Sequence, residues 1–213
     1  MTSHDVAALP HTIVLADAQP LLRMGVATLI DAQRDLRVVG QAGSAAELTA
    51  QCALHRPQIV CVDLALLDPL PEQGIAALRH LPQAPRVVVL TQRNGEEDIY
   101  RALRAGASAY LFKDVPSDEL LQGLRTVGQG GSFVPPPVAA RLTARLHGEV
   151  LSPREMQILQ QVAAGHSNKR IGLTFGISDG TVKSHTKRIF CKLGVSSRTG
   201  AVATAVQRGL IAL

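Results

Sequence analysis

Four polar residues of this 213-residue chain stand where short apolar runs end: Asp17, Asp63, Thr91 and Lys113. Two carboxylates offer the oxygen ligands that Mg2+ prefers, and Mg2+ in turn favours a phosphate partner. A metal-assisted carboxylate can accept a phosphoryl group, while a lysine and a hydroxyl stabilise the charge it brings. Each of the four is ordinary alone: a strand-end Asp usually caps a turn or helix, and Thr91 could simply end a strand. Gathered at one place they make a phosphoryl-accepting set. A second group suggests different chemistry. Lys183, Ser184 and Lys187 recur at helical spacing near the C-terminus, and a lysine in the major groove reaches O6 and N7 of guanine.

The first set depends on a sheet. Apolar runs at 12–16, 37–40, 59–62, 87–90 and 107–112 alternate with helical patterns at 20–30, 45–54, 75–81, 97–105 and 117–127. Five strands interleaved with five helices predict an α/β doubly wound, five-stranded parallel sheet covered on both faces. Working residues of such a sheet lie beyond the carboxyl ends of its strands, and that rule brings Asp17, Asp63, Thr91 and Lys113 to one edge. Gly128, Gly130 and Gly131 stop the last helix, and Pro135, Pro136 and Pro137 interrupt both helix and ladder. The expected organisation is a first domain over 10–128 and a second over 150–213. Between them lies a linker, 129–149, with a short amphipathic helix built on Val138, Leu142 and Leu146.

The second set depends on helices. Ser152, Pro153 and Glu155 supply an N-cap, a first-turn proline and a capping-box acid. The apolar face is Met156, Ile158, Leu159 and Val162, and Gly165 ends the helix. A short helix over 167–174 gives way to Phe175-Gly176-Ile177, and Ser178 caps a third helix that stops at Gly194. Two helices joined by so short a glycine-containing turn form a helix-turn-helix. Val182, Thr186, Ile189 and Leu193 share the inward stripe of the third helix, while Lys183, Ser184, Lys187, Arg188 and Cys191 face out. Thr181 completes the candidate DNA surface at the N-terminal end of this helix. Asn168, Lys169 and Arg170 on the preceding helix are placed to hold phosphates, contacts that position without reading sequence. His185 either touches phosphate or packs against the neighbouring helix.

Charge is divided accordingly: residues 151–213 hold nine Lys or Arg against two acids, whereas 1–150 hold thirteen against fifteen. A basic module joined to a slightly acidic one suits a phosphate-rich partner. Aromatics make up 3% of the chain, which disfavours stacking platforms for single strands and points to double-stranded DNA. There is no GxGxxG, P-loop, Ser/His/Asp or Cys/His constellation, so the expectation is not an enzyme. No run approaches the roughly eighteen apolar residues of a membrane span, and the first ten residues lack a secretory pattern. Cys52, Cys61 and Cys191 are scattered and odd in number, which fits a reducing cytoplasm better than a disulfide frame or zinc site.

Leu-Ser-Pro-Arg-Glu at 151–155, Ser-Asn-Lys at 167–169, Gly-Ile-Ser-Asp-Gly-Thr-Val-Lys-Ser-His at 176–185 and Lys-Leu-Gly-Val at 192–195 resemble the LuxR-type DNA-binding domain. The resemblance implies an all-α, four-helix helix-turn-helix domain. Its last helix, 198–208, is commonly a dimer contact, which implies a homodimer. By position Lys183, Ser184 and Lys187 match the base-facing residues, and Thr186 departs from a position usually apolar. Val-Leu-Ala-Asp at 14–17, Gln-Pro-Leu-Leu-Arg at 19–23, Val-Asp at 62–63, Val-Leu-Thr at 89–91 and Ala-Gly-Ala-Ser-Ala-Tyr-Leu-Phe-Lys-Asp at 105–114 resemble a response-regulator receiver domain, flavodoxin-like in fold. Together the two resemble a NarL/FixJ-type transcriptional regulator of a two-component system, whose partner is a sensor histidine kinase. The resemblance implies that Asp63 is the phosphoacceptor, that Thr91 and Lys113 contact the phosphoryl group, and that Tyr110 is the aromatic switch following Thr91 inward. It also implies a Mg2+ site of Asp17, Asp63 and the Ala65 carbonyl.

Two departures bear on that site. The family normally carries two adjacent acids after the first strand, and here the pair is Asp17-Ala18. The missing acid is the one that usually touches the metal, so Mg2+ binding should be substantially weakened. The loop from Leu64 to Gly74 is about three residues longer than the family's. Its acids, Asp68 and Glu72, either replace the lost ligand or are solvated. The alternative expectation is a receiver that does not accept phosphate and acts by constitutive dimerisation or another signal.

Overall fold

The computed structural model describes residues 9–147 and 150–211. By internal contacts the chain divides into two compact units, Met1–Arg93 with Arg101–Ala139, and Asn94–Tyr100 with Ala140–Leu213.

The first unit is built on β1 (His11–Ala16), β2 (Leu36–Ala42), β3 (Ile59–Val62), β4 (Arg86–Thr91) and β5 (Ala109–Phe112). All pairings are parallel, in the order β2-β1-β3-β4-β5. Helices cover both faces, so the central strands are buried on both sides and read as continuous Val/Ile runs. Ile13, Leu15, Ile59, Cys61, Val88, Leu90, Ala109 and Leu111 point to one side, where they meet Ala27 and Ile30 of α1 (Pro20–Asp31) and Leu120, Leu124 and Val127 of α5 (Ser117–Gly128). Val14, Val60, Val62, Val87, Val89 and Tyr110 are buried as well, and strand alternation turns them to the other face. Leu48 of α2 (Ala45–His55) and Ile75 of α3 (Pro71–Arg79) are also buried. The remaining helix of the α/β segment is α4 (Glu96–Ala105). Chain order reverses about β1 and β3, which opens the crevice where ligands of such sheets bind.

Two elements differ from the sequence expectation. Helix α3 begins at Pro71 rather than four residues later, because Pro71 serves as a first-turn proline, which costs no backbone hydrogen bond. The expected short helix, α6 (Pro136–His147), begins within the proline run. Pro136 and Pro137 therefore start a helix instead of only breaking one.

In the second unit α7 (Pro153–Ala163), α8 (Asn168–Phe175), α9 (Asp179–Leu193) and α10 (Arg198–Gln207) enclose one core. It comprises Leu151, Ile158, Leu159, Val162, Ile171, Val182, Ile189, Leu193, Ala201 and Ala205. Among the described residues no helix is long and apolar enough to cross a membrane.

Candidate functional site

Strand register brings the four strand-end residues together. The Asp17 N–H donates to the Ala42 carbonyl at 3.0 Å, and the Asp63 N–H to the Ala16 carbonyl at 2.9 Å, so the two acids leave adjacent strands at the same level. Thr91 ends β4 opposite Phe112, and the Lys113 N–H donates to the Thr91 carbonyl at 3.0 Å. The side chains then converge. Lys113 Nζ lies 2.7 Å from Asp17 Oδ2 and 2.7 Å from Asp63 Oδ2. The other oxygen of Asp63, Oδ1, accepts the Thr91 hydroxyl at 2.6 Å and the Ala65 N–H at 3.3 Å. Asp17 Oδ1 accepts the Gln19 N–H at 2.8 Å.

Electrostatics follow from this geometry. Burial works against the Lys113 ammonium, but the hydrogen bonds and charges of Asp17 and Asp63 hold it above the usual lysine range. Cys61, fully buried beneath the pocket, is pushed up to about 12 by burial and then by the same two carboxylates, so its thiol stays protonated. Tyr110 is fully buried and its hydroxyl donates to the Arg93 carbonyl at 2.9 Å. Thr91 and Tyr110 therefore both hold inward positions.

The structure also adds what the sequence did not reveal. Arg23 of α1 donates through Nη1 to the Asp17 carbonyl. Asp68 does not supply the missing carboxylate: it pairs with Arg93 Nη2 at 2.5 Å and is 45% exposed. Glu72 lies in the first turn of α3. Ala65 sits in a short 3-10 turn, Leu64–Leu67, capped by Asp63. Among the described residues no three His, Cys, Asp or Glu side chains are grouped as a metal site. Receiver domains typically bind Mg2+ at such an acidic edge; here its two carboxylates, Asp17 and Asp63, share Lys113 as a partner.

The basic module carries the second site. Serines cap all four of its helices: Ser152 on α7, reciprocated by Glu155, Ser167 on α8, Ser178 on α9 and Ser197 on α10. Gly176 closes α8 at φ 65°, the left-handed turn that lets α9 leave at once. Gly172 allows α8 and the turn to approach, because a Cβ there would lie 2.6 Å from the Ile177 carbonyl. On α9, Val182, Thr186, Ile189 and Leu193 are buried, and the Thr186 hydroxyl donates to the Val182 carbonyl at 2.8 Å, which satisfies it locally. Thr181, Lys183, Ser184, Lys187, Arg188 and Cys191 are exposed, as are Lys169 and Arg170 on α8, while Asn168 is half-buried. Lys183 meets Asp179 at 3.0 Å with its side chain 68% exposed; so exposed an i,i+4 pair is worth only about 0.3–0.5 kcal/mol and leaves the lysine available. The Ser184 hydroxyl donates to the Gly180 carbonyl at 3.2 Å. His185 is half-buried, and its Nδ1 finds no partner among the described residues.

An ion pair also ties α9 to α7. Lys192 Nζ lies 2.7 Å from Glu155 Oε2, whose carboxylate also accepts the Ser152 N–H at 2.7 Å. Burial pushes the Glu155 carboxyl up, yet the Lys192 ammonium and Ser152 outweigh it and hold the group below the ordinary value of 4.5.

Comparison with known proteins agrees with this architecture. Residues 13–125 match the family model for the response regulator receiver domain, and residues 149–205 that for bacterial regulatory proteins of the luxR family. A transcriptional regulatory protein of Bacillus subtilis, YxjL, is 32% identical over 93% of this chain and 96% of its own length. The response regulator VraR of Staphylococcus aureus is 32% identical over 93% of this chain and 98% of its own. Among solved structures, the response regulator ChrA of a heme-sensing two-component system is 32% identical with a TM-score of 0.57, covering 96% of this chain and 100% of its own. RcsB of Salmonella typhimurium shares the fold at 20% identity and a TM-score of 0.74, covering 92% and 99%. The chain belongs to the response regulators, as a DNA-binding transcriptional regulator with a receiver domain and a luxR-family helix-turn-helix domain.

Proposed function

We propose that Asp63 is the phosphoacceptor of this regulator and that its modification controls DNA binding by the α8–α9 module. The observation that carries this reading is the convergence of Lys113 and the Thr91 hydroxyl on opposite oxygens of Asp63, at 2.7 and 2.6 Å. A carboxylate oxygen of Asp63 attacks the phosphorus of a phosphohistidine on a sensor kinase, or of a small acyl phosphate. The new P–O bond forms as the bond to the leaving imidazole or carboxylate breaks, and the leaving group departs with the electron pair. Lys113 and Thr91 then donate to the phosphoryl oxygens, where preorganised donors act most strongly. Thr91 and the buried Tyr110 couple this event to the Arg93 loop through the Tyr110 hydroxyl. Contact of Thr91 and Lys113 with Asp63 favours acceptance over a receiver that has lost it.

On the output side Lys183, Ser184 and Lys187 read bases in the major groove of double-stranded DNA, with Thr181 and Arg188 beside them. Asn168 and Lys169 hold phosphates. Exposed Val206 on α10, whose inward face is Ala201 and Ala205, supports a homodimer through that helix. RcsB has been solved as two dimers bound to two parallel DNAs, and two half-sites one helical turn apart are the geometric expectation for such a pair. Incubating the full chain with a small acyl phosphate, with and without Mg2+, and weighing it intact tests the assignment. The expected result is one phosphoryl group gained, and none in Asp63→Ala. No gain, or a gain that survives the substitution, overturns it.

A further inference from the structure

The acidic pocket already contains its own counter-charge. A hard dication such as Mg2+ needs near-octahedral oxygen donors with lone pairs free to face it. Each carboxylate oxygen here already accepts from a protein donor, Asp17 Oδ2 and Asp63 Oδ2 from Lys113 and Asp17 Oδ1 from Gln19, while Asp63 Oδ1 takes two, from Thr91 and Ala65, so every oxygen has given up at least half of its lone-pair capacity. The charge balance points the same way. Lys113 lies between the two carboxylates, and Arg23 brings a second full positive charge to the Asp17 carbonyl. Ala18 supplies no third acid, and Asp68, which could have replaced it, is paired with Arg93. A dication entering this pocket would meet two cations set against two carboxylates, and it would have to displace an ammonium whose side chain is 6% exposed.

We infer that Lys113 is the resident cation of this pocket and that Asp17 and Asp63 are held together without a divalent ion. This concerns the resting pocket, and it stands apart from whether Asp63 takes up phosphate. A lysine nitrogen then bridges the two carboxylates, so the pocket would be assembled whatever the Mg2+ supply.

Titration of the full chain with Mn2+, followed by the electron paramagnetic resonance signal of free Mn2+, tests the inference without any phosphoryl donor. The wild type should leave millimolar Mn2+ in the free signal, and Mg2+ should not shift the melting of its receiver unit. Lys113→Met vacates the space between the carboxylates, so it should gain one saturable Mn2+ site per chain, and Mg2+ should raise its melting temperature. Ala18→Asp restores the third acid and should also gain a site, which keeps the comparison available if the methionine variant folds poorly. One saturable site in the wild type, displaced by Mg2+ and lost in Asp17→Asn, would overturn the inference. So would a folded Lys113→Met that binds no more Mn2+ than the wild type. Failure of Asp63 to gain mass would leave these results unaffected, so the two readings fail separately.

Discussion

Lys113→Met removes one ammonium and leaves two carboxylates without their shared partner. The side chains involved are 6%, 5% and 10% exposed for Lys113, Asp17 and Asp63, so water relieves the loss only in part. The orphaned oxygens each lay 2.7 Å from one nitrogen and are therefore within twice that distance of each other. Two like charges about 5 Å apart at an effective dielectric of about 20 repel by about 3 kcal/mol. Desolvation of the unpaired oxygens adds to this, and loss of one partner from a buried pair usually costs about 3–5 kcal/mol. The Thr91, Ala65 and Gln19 donors remain and keep the cost from rising further. Urea unfolding should be followed by a probe in the receiver unit, since two units need not unfold together. A fall of about 3–5 kcal/mol with an unchanged m-value is expected. A loss below about 1 kcal/mol, the size of an exposed ion pair, would mean that Lys113 does not neutralise a buried acidic pair.

Lys183→Ala and Lys187→Ala should each weaken binding to the cognate duplex by about 1–3 kcal/mol and relax preference at one base pair, read by titration against a panel of single-base variants. Lys169→Ala should weaken all duplexes alike, and the slope of log affinity against log salt should become shallower by about one. Glu155→Gln should destabilise the helix-turn-helix unit by about 1.5–3 kcal/mol, since it removes a charged partner of Lys192 and Ser152. Because the folded Glu155 carboxyl lies below its ordinary value of 4.5, its contribution is present above that value and lost as pH falls through the lowered one. Thermal melts at neutral pH should therefore separate wild type from Glu155→Gln, and the gap should close in strong acid.

The elements were legible because their physics is local. Parallel strands buried on both faces leave uninterrupted apolar runs, and the helices of the basic module announce themselves through Ser152, Ser167, Ser178, Gly176 and Gly194. The approach of Asp17, Asp63, Thr91 and Lys113 was legible because chain order alone puts them at one sheet edge. What sequence could not supply was the partner of each charge. Arg23 reaches the Asp17 carbonyl only through the pitch of α1, and Asp68 meets Arg93 across 25 residues of chain through two loop conformations. The start of α3 was obscured by Pro71 and Gly74. Both look like breakers, yet Pro71 fits a first turn, and a Cβ on Gly74 would lie 3.0 Å from the Leu67 side chain, so local packing decided the helix. The hydroxyl of Thr186 found its acceptor one turn back in its own helix, a back-bond that residue type permits but does not announce.

In the proposed scheme the state of the Asp63 pocket sets the affinity of α9 for DNA. Duplex affinity of the full chain should be measured at fixed salt before and after exposure to a small acyl phosphate, in wild type and in Asp63→Ala. Tighter binding after exposure is expected in the wild type, and no change in the variant. Equal affinities before and after in a wild-type chain shown by mass to carry the phosphoryl group would contradict it.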